Sequence, residues 1–150
     1  MFKRSDLGNI DFGNNRLSSY RGLYSTSYNQ FAFRVPDSEE SIRISRAPKL
    51  QRDNGLYFWL AAELQDDWVG REQYFRPYIE DSDFKEISES EFNSMVCSQC
   101  NDLITKPNLP LNTGKFIGAL AMRTMEKELI VDLFAEYDNE YIHFIWESTA

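Results

Sequence analysis

Residues 115–150 alternate apolar and polar side chains in three runs, and two short polar turns separate the runs. Side chains that recur with a period of two lie on one face of a β-strand. The pair Asp138-Asn139 is therefore a predicted hairpin loop, because it lets the apolar faces of the two flanking strands coincide. With this loop the facing pairs are Ala135 and Ile142, Leu133 and Phe144, and Val131 and Trp146.

The turn before these strands follows the same pattern, with Glu126-Lys127 as its predicted loop. The sequence thus predicts that the chain ends in a three-stranded antiparallel meander, and a mainly antiparallel sheet becomes the starting point for the rest of the fold. In the predicted register the facing pairs are Met122 and Val131, Leu120 and Leu133, and Gly118 and Ala135.

The strongest helix signal in the chain begins at Ser88, three residues before Glu91. In a capping box the serine hydroxyl accepts from a free amide at the helix start, and the carboxylate accepts from the amide of the cap residue. The predicted main helix runs from about residue 89 to about residue 104 and ends before Pro107. We expect it to pack on the apolar face of the sheet that is lined by Leu120, Met122, Val131, Leu133, Phe144 and Trp146.

Four segments upstream of the meander are predicted strands. Gln30–Val35 is short, and Ser41–Arg46 alternates isoleucine with arginine and serine, as an edge strand does. Leu56–Leu64 is nearly continuously apolar, so periodicity does not separate a buried strand from a buried helix, and its aromatic residues favour a strand. Gln73–Glu80 is predicted as a strand that Pro77 confines to an edge or a bulge.

The chain has the usual size of one domain. We therefore expect residues 1–150 to form a single α+β domain, with a loop-rich N-terminal arm over residues 1–29, which show no sustained period. Either the apolar residues of this arm pack one by one against the sheet, or Arg16, Tyr20, Arg21 and Tyr24 reach a partner.

The formal charge of -8 and a sequence pI near 4.7 make the chain strongly acidic. Phosphate groups repel such a surface, so we expect no nucleic-acid ligand, and the acidity indicates either a basic partner or simply a contribution to solubility. No apolar run approaches the roughly 20 residues that span a bilayer, and the N-terminus has no apolar stretch after its basic start. We therefore expect a cytoplasmic protein that does not bind a membrane.

Two cysteines and one histidine leave few soft side chains for catalysis or metal binding. Cys97 and Cys100 have the spacing of a redox pair, but they fall late in the predicted helix, whereas a helix N-terminus is what activates such a thiol. The alternative, two structural thiols, is favoured. A zinc site at these thiols would need two further ligands, and His143 alone cannot supply them, so we expect no metal and no cofactor.

His143 shares one face of the last hairpin with Asp132 and Glu136. A general base with an orienting carboxylate is one interpretation, and two-carboxylate hydrolysis is another. A solvated face with a loosely paired histidine explains the same residues, because the strand register places no serine or cysteine nucleophile near them. The sequence therefore predicts no catalytic residue.

Aromatic residues on that same face favour a contact surface, since aromatics ringed by charge are typical of protein interfaces. The alternative is that the helix or the N-terminal arm covers the face. Two further acidic segments, 37–40 and 80–83, are candidate contact loops. The predicted partner-binding residues are Asp132, Phe134, Glu136, Asp138, Glu140, Tyr141, His143, Glu80, Asp81 and Asp83.

The ending VDLFAEYDNEYIHFIWESTA, together with small size and acidity, resembles bacterial immunity proteins that neutralise toxins of contact-dependent growth inhibition and related polymorphic toxin systems. The resemblance carries no functional residue over, because these families share no strict motif. It implies a non-enzymatic cytoplasmic protein that binds one cognate toxin domain and blocks its active site or its substrate surface. The implied toxin is basic, as nucleases commonly are, and complementary charge would speed its association.

Two other classes of function fit the same composition. A phage-encoded antagonist that mimics DNA would also be small and acidic, although the 16 lysines and arginines interspersed here weaken that interpretation. A small-ligand-binding or enzyme domain would need a pocket, for which the candidate lining residues are Tyr57, Trp59, Tyr74 and Tyr78.

Overall fold

The structure, a computed structural model, describes residues 1–11, 17–49, 53–65, 72–123 and 129–149. Within them six antiparallel strands form one open sheet in the order β1-β2-β6-β5-β4-β3, so the predicted α+β class with an antiparallel sheet is confirmed. The strands are β1 (Tyr24–Tyr28), β2 (Glu40–Pro48), β3 (Asp83–Ile87), β4 (Phe116–Arg123), β5 (Ile130–Tyr137) and β6 (Glu140–Ser148). The α-helices are α1 (Leu56–Glu63), α2 (Glu72–Glu80) and α3 (Glu89–Cys100).

Strand alternation divides the core between the two faces of the sheet. On the α3 face, Phe92 of α3 belongs to the same buried cluster as Leu133 and Phe144 of the sheet. On the opposite face, the α1 face, Phe58 of α1 belongs to the same cluster as Phe134. Because both faces are covered, β5 and β6 are buried at most of their positions rather than at every second one.

The last hairpin has the predicted register. A two-residue turn at Asp138-Asn139 joins β5 to β6, as the alternation of apolar side chains requires. The observed pairs are Ala135 with Ile142, Leu133 with Phe144, and Val131 with Trp146.

The predicted register of β4 is wrong by one residue. Ala121 pairs with Leu133, and Met122 pairs with Asp132. A shift of one residue moves every side chain of a strand to the other face, so Leu120 and Met122 lie on the α1 face and not beneath α3. The loop predicted at residues 126–127 lies outside the described residues.

The capping box at the start of α3 is present. The amide of Glu91 donates to Ser88 Oγ at 3.1 Å, and the amide of Ser88 donates to Glu91 Oε1 at 3.1 Å. The helix ends at Cys100 rather than near residue 104. It is also accompanied by two further helices, so the prediction of one main helix was incomplete.

Two segments predicted as strands are helices. Leu56–Glu63 forms α1, in which every residue except Tyr57 is buried; a helix that is buried on all sides loses the amphipathic pattern that would identify it. Glu72–Glu80 forms α2 with Pro77 inside it. A third predicted strand, at residues 30–35, contains instead a short 3-10 helix at Gln30–Ala32.

The predicted edge strand at residues 41–46 belongs to β2, which pairs with β1 on one side and β6 on the other. The N-terminal arm contains β1 and a 3-10 helix at Arg4–Asn9, and its apolar residues pack into the core as the first alternative described. Of the helices in the described ranges, none has the length and apolar character needed to cross a membrane. In the described part of the arm the buried residues are Phe2, Leu7, Ile10 and Leu17.

Candidate functional site

Three ionisable side chains form a cluster beneath α1: Glu63, Asp132 and His143. His143 Nε2 lies 2.8 Å from Glu63 Oε1 and 3.0 Å from Asp132 Oδ1. Each of the three side chains is at most 1% exposed. Ionisable groups are seldom buried to this extent unless they are paired or bind a metal, so this cluster is the first candidate site of the fold.

Three elements bring the cluster together. Glu63 is the last residue of α1, whereas Asp132 belongs to β5 and His143 to β6. His143 pairs with Phe134, which is two residues from Asp132 on the same strand, so both polar side chains point to the α1 face. The remaining buried residues of α1 are apolar, and their packing on this face places Glu63 over the two sheet residues.

Aromatic rings form the apolar wall of this face. The ring of Tyr141 stacks on Phe58 with 5.5 Å between the ring centroids, and on Phe134 with 5.8 Å. Trp59 and Phe2 continue the wall, with ring centroids 5.7 Å apart. Rings packed in this way exclude water, so the polar cluster lies in a medium of low dielectric constant, in which charges interact strongly.

The three groups set one another's protonation. Burial raises the pKa of Glu63, and the negative charge of Asp132 raises it further, to about 8. Burial alone would lower the pKa of His143, but the charges of Asp132 and Glu63 outweigh burial and raise that pKa to about 10. Without a bound cation, the cluster at neutral pH therefore holds an imidazolium and one further proton between the two carboxylates.

The metal-free chain is expected to lose stability as the pH rises. The folded chain keeps the Glu63 proton from pH 4.5 to about 8 and the His143 proton from pH 6.5 to about 10, whereas the unfolded chain releases both. A proton that only the folded state holds lowers the free energy of unfolding by up to about 1.4 kcal/mol per pH unit. Urea unfolding in EDTA at a series of pH values between about 5 and 9 measures this slope.

The variant Glu63→Gln separates the two contributions to this slope. Glutamine imitates the protonated acid and cannot ionise, so the slope below about pH 6.5, which comes from Glu63, should be lost. The exposed Glu80→Gln serves as the matched control and should keep it. If Glu63→Gln retains the slope of the parent chain, the assigned pKa direction of Glu63 is wrong.

Six of the ten predicted partner-binding residues lie in the interior and have partners within the chain. Lys49 Nζ donates to Glu136 Oε2 at 2.9 Å, and Tyr141 Oη donates to Asp53 Oδ1 at 2.8 Å. While α1 and the N-terminal segment cover the α1 face, the five of these side chains that lie on it meet no partner protein, so the covered-face alternative describes this structure. Glu140 lies on the α3 face, where its side chain accepts hydrogen bonds from Arg46 and Asn112. The six residues are Asp132, Phe134, Glu136, Glu140, Tyr141 and His143.

The other four predicted residues are exposed. Asp138 lies at the turn between β5 and β6, and Glu80, Asp81 and Asp83 lie where α2 ends and β3 begins. The second candidate loop also carries exposed acids, at Asp37 and Glu39. The structure thus separates the predicted site into a buried polar cluster and two acidic surfaces.

Both cysteines are free thiols, with Cys97 exposed and Cys100 buried. Burial raises the pKa of the Cys100 thiol to about 11, and the neighbouring Cys97 contributes in the same direction. A reactive pair needs a lowered thiol pKa, so the environment of Cys100 favours the structural alternative.

Three of the four aromatic residues proposed to line a ligand pocket, Tyr57, Trp59 and Tyr78, do not share one site, and the side chain of the fourth, Tyr74, lies outside the described part of the structure. Trp59 is fully buried, whereas Tyr57 is 46% exposed. Tyr78 Oη donates to Glu63 Oε2 at 3.4 Å, so it belongs to the surroundings of the buried cluster. Nothing in this arrangement favours the predicted aromatic pocket.

The sequence prediction did not find Glu63, although it is central to the cluster. The signal available was one acidic residue inside the apolar run 56–64. A buried carboxylate requires a partner, and His143 could have been proposed as that partner.

In comparisons with known proteins, no family model, no curated protein and no solved structure matches this chain.

Proposed function

We propose that the chain is a non-enzymatic acidic immunity protein that binds a basic bacterial toxin domain and neutralises it. The acidic edge of the sheet is the observation that carries the proposal. Asp81, Asp83 and Glu86 are exposed in and just before β3. In the described part of the chain β3 pairs with β4 alone, so the backbone groups along its outer edge are available to a partner strand.

A surface groove of about 310 Å³ next to β3 supports the same proposal. Met95 and Val131 give the groove an apolar lining, and Lys85 and Glu91 add charge. An apolar centre with a charged rim is the usual composition of a protein interface. The groove and the acidic edge therefore form one continuous candidate contact surface, which we call the β3 surface.

The negative net charge of the chain should increase the rate at which a basic partner associates with this surface. An acidic protein attracts a basic partner over distances of about a Debye length, which raises the association rate and makes it depend on salt. The buried Glu63 cluster does not favour an enzyme, because the three side chains are at most 1% exposed to a substrate. Binding through the β3 surface is the activity that these observations support.

A binding experiment with a charge-neutralised β3 surface tests the proposal. The tagged chain is used to capture proteins from a lysate of the organism that carries the gene, and a captured basic protein is then purified. The variant Asp81→Asn/Asp83→Asn/Glu86→Gln is expected to associate with it about 10-fold more slowly than the parent in stopped-flow measurements at low salt. Far-UV circular dichroism verifies that the variant is folded.

A matched variant at exposed acids outside β3 and the segment before it is the control. Asp37→Asn/Glu39→Gln/Asp102→Asn removes the same charge at positions that are also exposed, and its association rate should stay within about twofold of the parent. If the control slows association and the β3 variant does not, the contact surface is misplaced. If no basic protein is captured at low salt from cells that express the neighbouring genes, the immunity proposal fails.

A further inference from the structure

We propose that Glu63, Asp132 and His143 form a binding site for one divalent transition-metal cation, which holds α1 on the sheet. The proposal is independent of the immunity function. It rests on the convergence of the three ligand atoms, on their spacing and on a buried carboxylate oxygen to which no described residue donates a hydrogen bond.

The single N–H group of His143 Nε2 does not serve both carboxylates, so without a cation the two carboxylates must share a further proton. Glu63 Oε1 and Asp132 Oδ1 both lie within hydrogen-bond distance of the same atom, His143 Nε2. That nitrogen carries at most one proton, which points along one direction in the ring plane, so it makes at most one well-aligned bond. A cation between the three atoms would interact with the lone pairs of all of them.

The spacing fits a coordination sphere. Ligand atoms about 2.0 to 2.2 Å from a cation lie about 2.8 to 3.6 Å from one another when the geometry is octahedral or tetrahedral. The two distances measured from His143 Nε2 are 2.8 and 3.0 Å. All three candidate ligand atoms lie within 4.8 Å of one another, so little movement is needed to bind an ion.

A second observation concerns the other oxygen of Asp132. Asp132 is 1% exposed, yet its Oδ2 accepts no hydrogen bond from the described part of the chain. A carboxylate oxygen that is buried without a donor is costly. A cation at the neighbouring Oδ1 compensates the charge of the whole carboxylate, and Oδ2 can take part in the coordination or hold a metal-bound water.

The donor set indicates the class of cation. Two carboxylates and one neutral imidazole balance the charge of a divalent ion. Imidazole nitrogen with carboxylate oxygen suits Zn²⁺, Mn²⁺, Fe²⁺ and Co²⁺, whereas Mg²⁺ and Ca²⁺ prefer oxygen alone. Because Glu63 comes from α1 and the other two ligands come from the sheet, the bound ion would cross-link two layers of the fold.

Titration of the full-length chain with single metals tests the proposal. After EDTA treatment and removal of the chelator, the chain is titrated with Zn²⁺, and separately with Mn²⁺, in a calorimeter. We expect at least one of these ions to bind with a stoichiometry of one per chain and to raise the midpoint of thermal unfolding, by an amount that grows with the logarithm of the free ion concentration above the dissociation constant. Titration with Co²⁺ should give visible absorption bands of a nitrogen- and oxygen-ligated ion.

Two isosteric variants locate the ion. Glu63→Gln should weaken binding about 100-fold, because a charged ligand is lost, and Glu80→Gln, on the surface, should bind as the parent does. Should Glu63→Gln fail to fold, the Co²⁺ spectrum of the parent chain decides, since surface carboxylates alone give no nitrogen ligation. Absence of stoichiometric binding by the parent chain, or equal binding by a folded Glu63→Gln variant, would overturn the proposal.

Discussion

Replacing His143 by alanine is expected to lower the free energy of unfolding by about 3 to 5 kcal/mol. The change removes the imidazole that contacts both Glu63 and Asp132, and it leaves the two carboxyl groups close together in the interior. It also creates a cavity beneath α1, since the imidazole is fully buried. Urea unfolding followed by circular dichroism measures the loss.

Variants of two acidic residues, Glu63 and Asp138, provide the controls for this prediction. At pH 9, where Glu63 of the parent chain is ionised because its pKa is about 8, the Glu63→Gln background lacks one of the two negative charges, so His143→Ala should cost at least about 1 kcal/mol less than in the parent chain. Asp138→Ala, on the exposed turn of the same hairpin, removes the hydrogen bond that Asp138 Oδ1 accepts from the amide of Lys115 at 3.2 Å, so it should cost no more than about 1.5 kcal/mol. Strictly additive losses for Glu63 and His143 would contradict the proposed coupling.

Gly55→Ala is expected to lower the free energy of unfolding by about 2 to 4 kcal/mol. Gly55 precedes α1 with a φ of 87°, in the left-handed region, where a side chain costs about 1 to 2 kcal/mol. A Cβ atom there would lie 2.6 Å from Cζ of Phe134 and 3.1 Å from Cε1 of Tyr141. Both rings are fixed in the core, so the clash adds about 1 to 3 kcal/mol.

Two further variants identify the cause of that loss. Gly8→Ala should leave the stability within about 0.5 kcal/mol, because a Cβ atom at Gly8 meets nothing within 4 Å. Phe134→Leu removes the ring that the new methyl group meets, so the double variant Gly55→Ala/Phe134→Leu should lose less than the sum of the single variants. A loss at Gly55 that is unchanged by Phe134→Leu would assign the effect to backbone strain alone.

The last hairpin could be predicted because two independent signals agree on its register. The Asp138-Asn139 turn fixes which residues face each other, and the apolar alternation on both sides accepts only that register. For β4 the sequence contains no second signal that fixes the register. Its sequence FIGALAMR is apolar at six of eight positions, so either register gives an apolar face, and the observed one is shifted by one residue.

The helices that cover the α1 face could not be identified from periodicity. α1 is buried on all sides but one, so its apolar residues do not repeat with a helical period. α2 contains Pro77, which usually indicates an edge strand or a bulge in a segment rich in aromatic residues. Without these two helices the α1 face looked like a solvent-exposed acidic face, and this explains why the five buried residues on that face were predicted to bind a partner.

Two of the three residues of the buried cluster could be placed from the sequence. Asp132 and His143 were correctly placed on one face of the hairpin, because the strand register determines their direction. Their third partner, Glu63, lies on a different element, 69 residues before Asp132 in the numbering of the chain. Contacts at such a separation depend on how a helix packs, which a single sequence does not specify.

The immunity proposal and the metal proposal concern different parts of the molecule. The first concerns the exposed β3 surface, where variants should change association without changing stability. The second concerns the cluster beneath α1, where variants should change stability and metal binding and should leave the contact surface in place. A variant of one site is therefore a control for the other.

A growth assay tests the immunity function most directly. The gene of the captured basic partner is expressed in a susceptible bacterial host alone, with the parent chain, and with the folded Asp81→Asn/Asp83→Asn/Glu86→Gln variant. We expect the partner alone to arrest growth, the parent chain to restore it, and the variant to restore it only in part. Arrested growth in the presence of a well-expressed, folded parent chain, or normal growth with the partner alone, would contradict the proposed function.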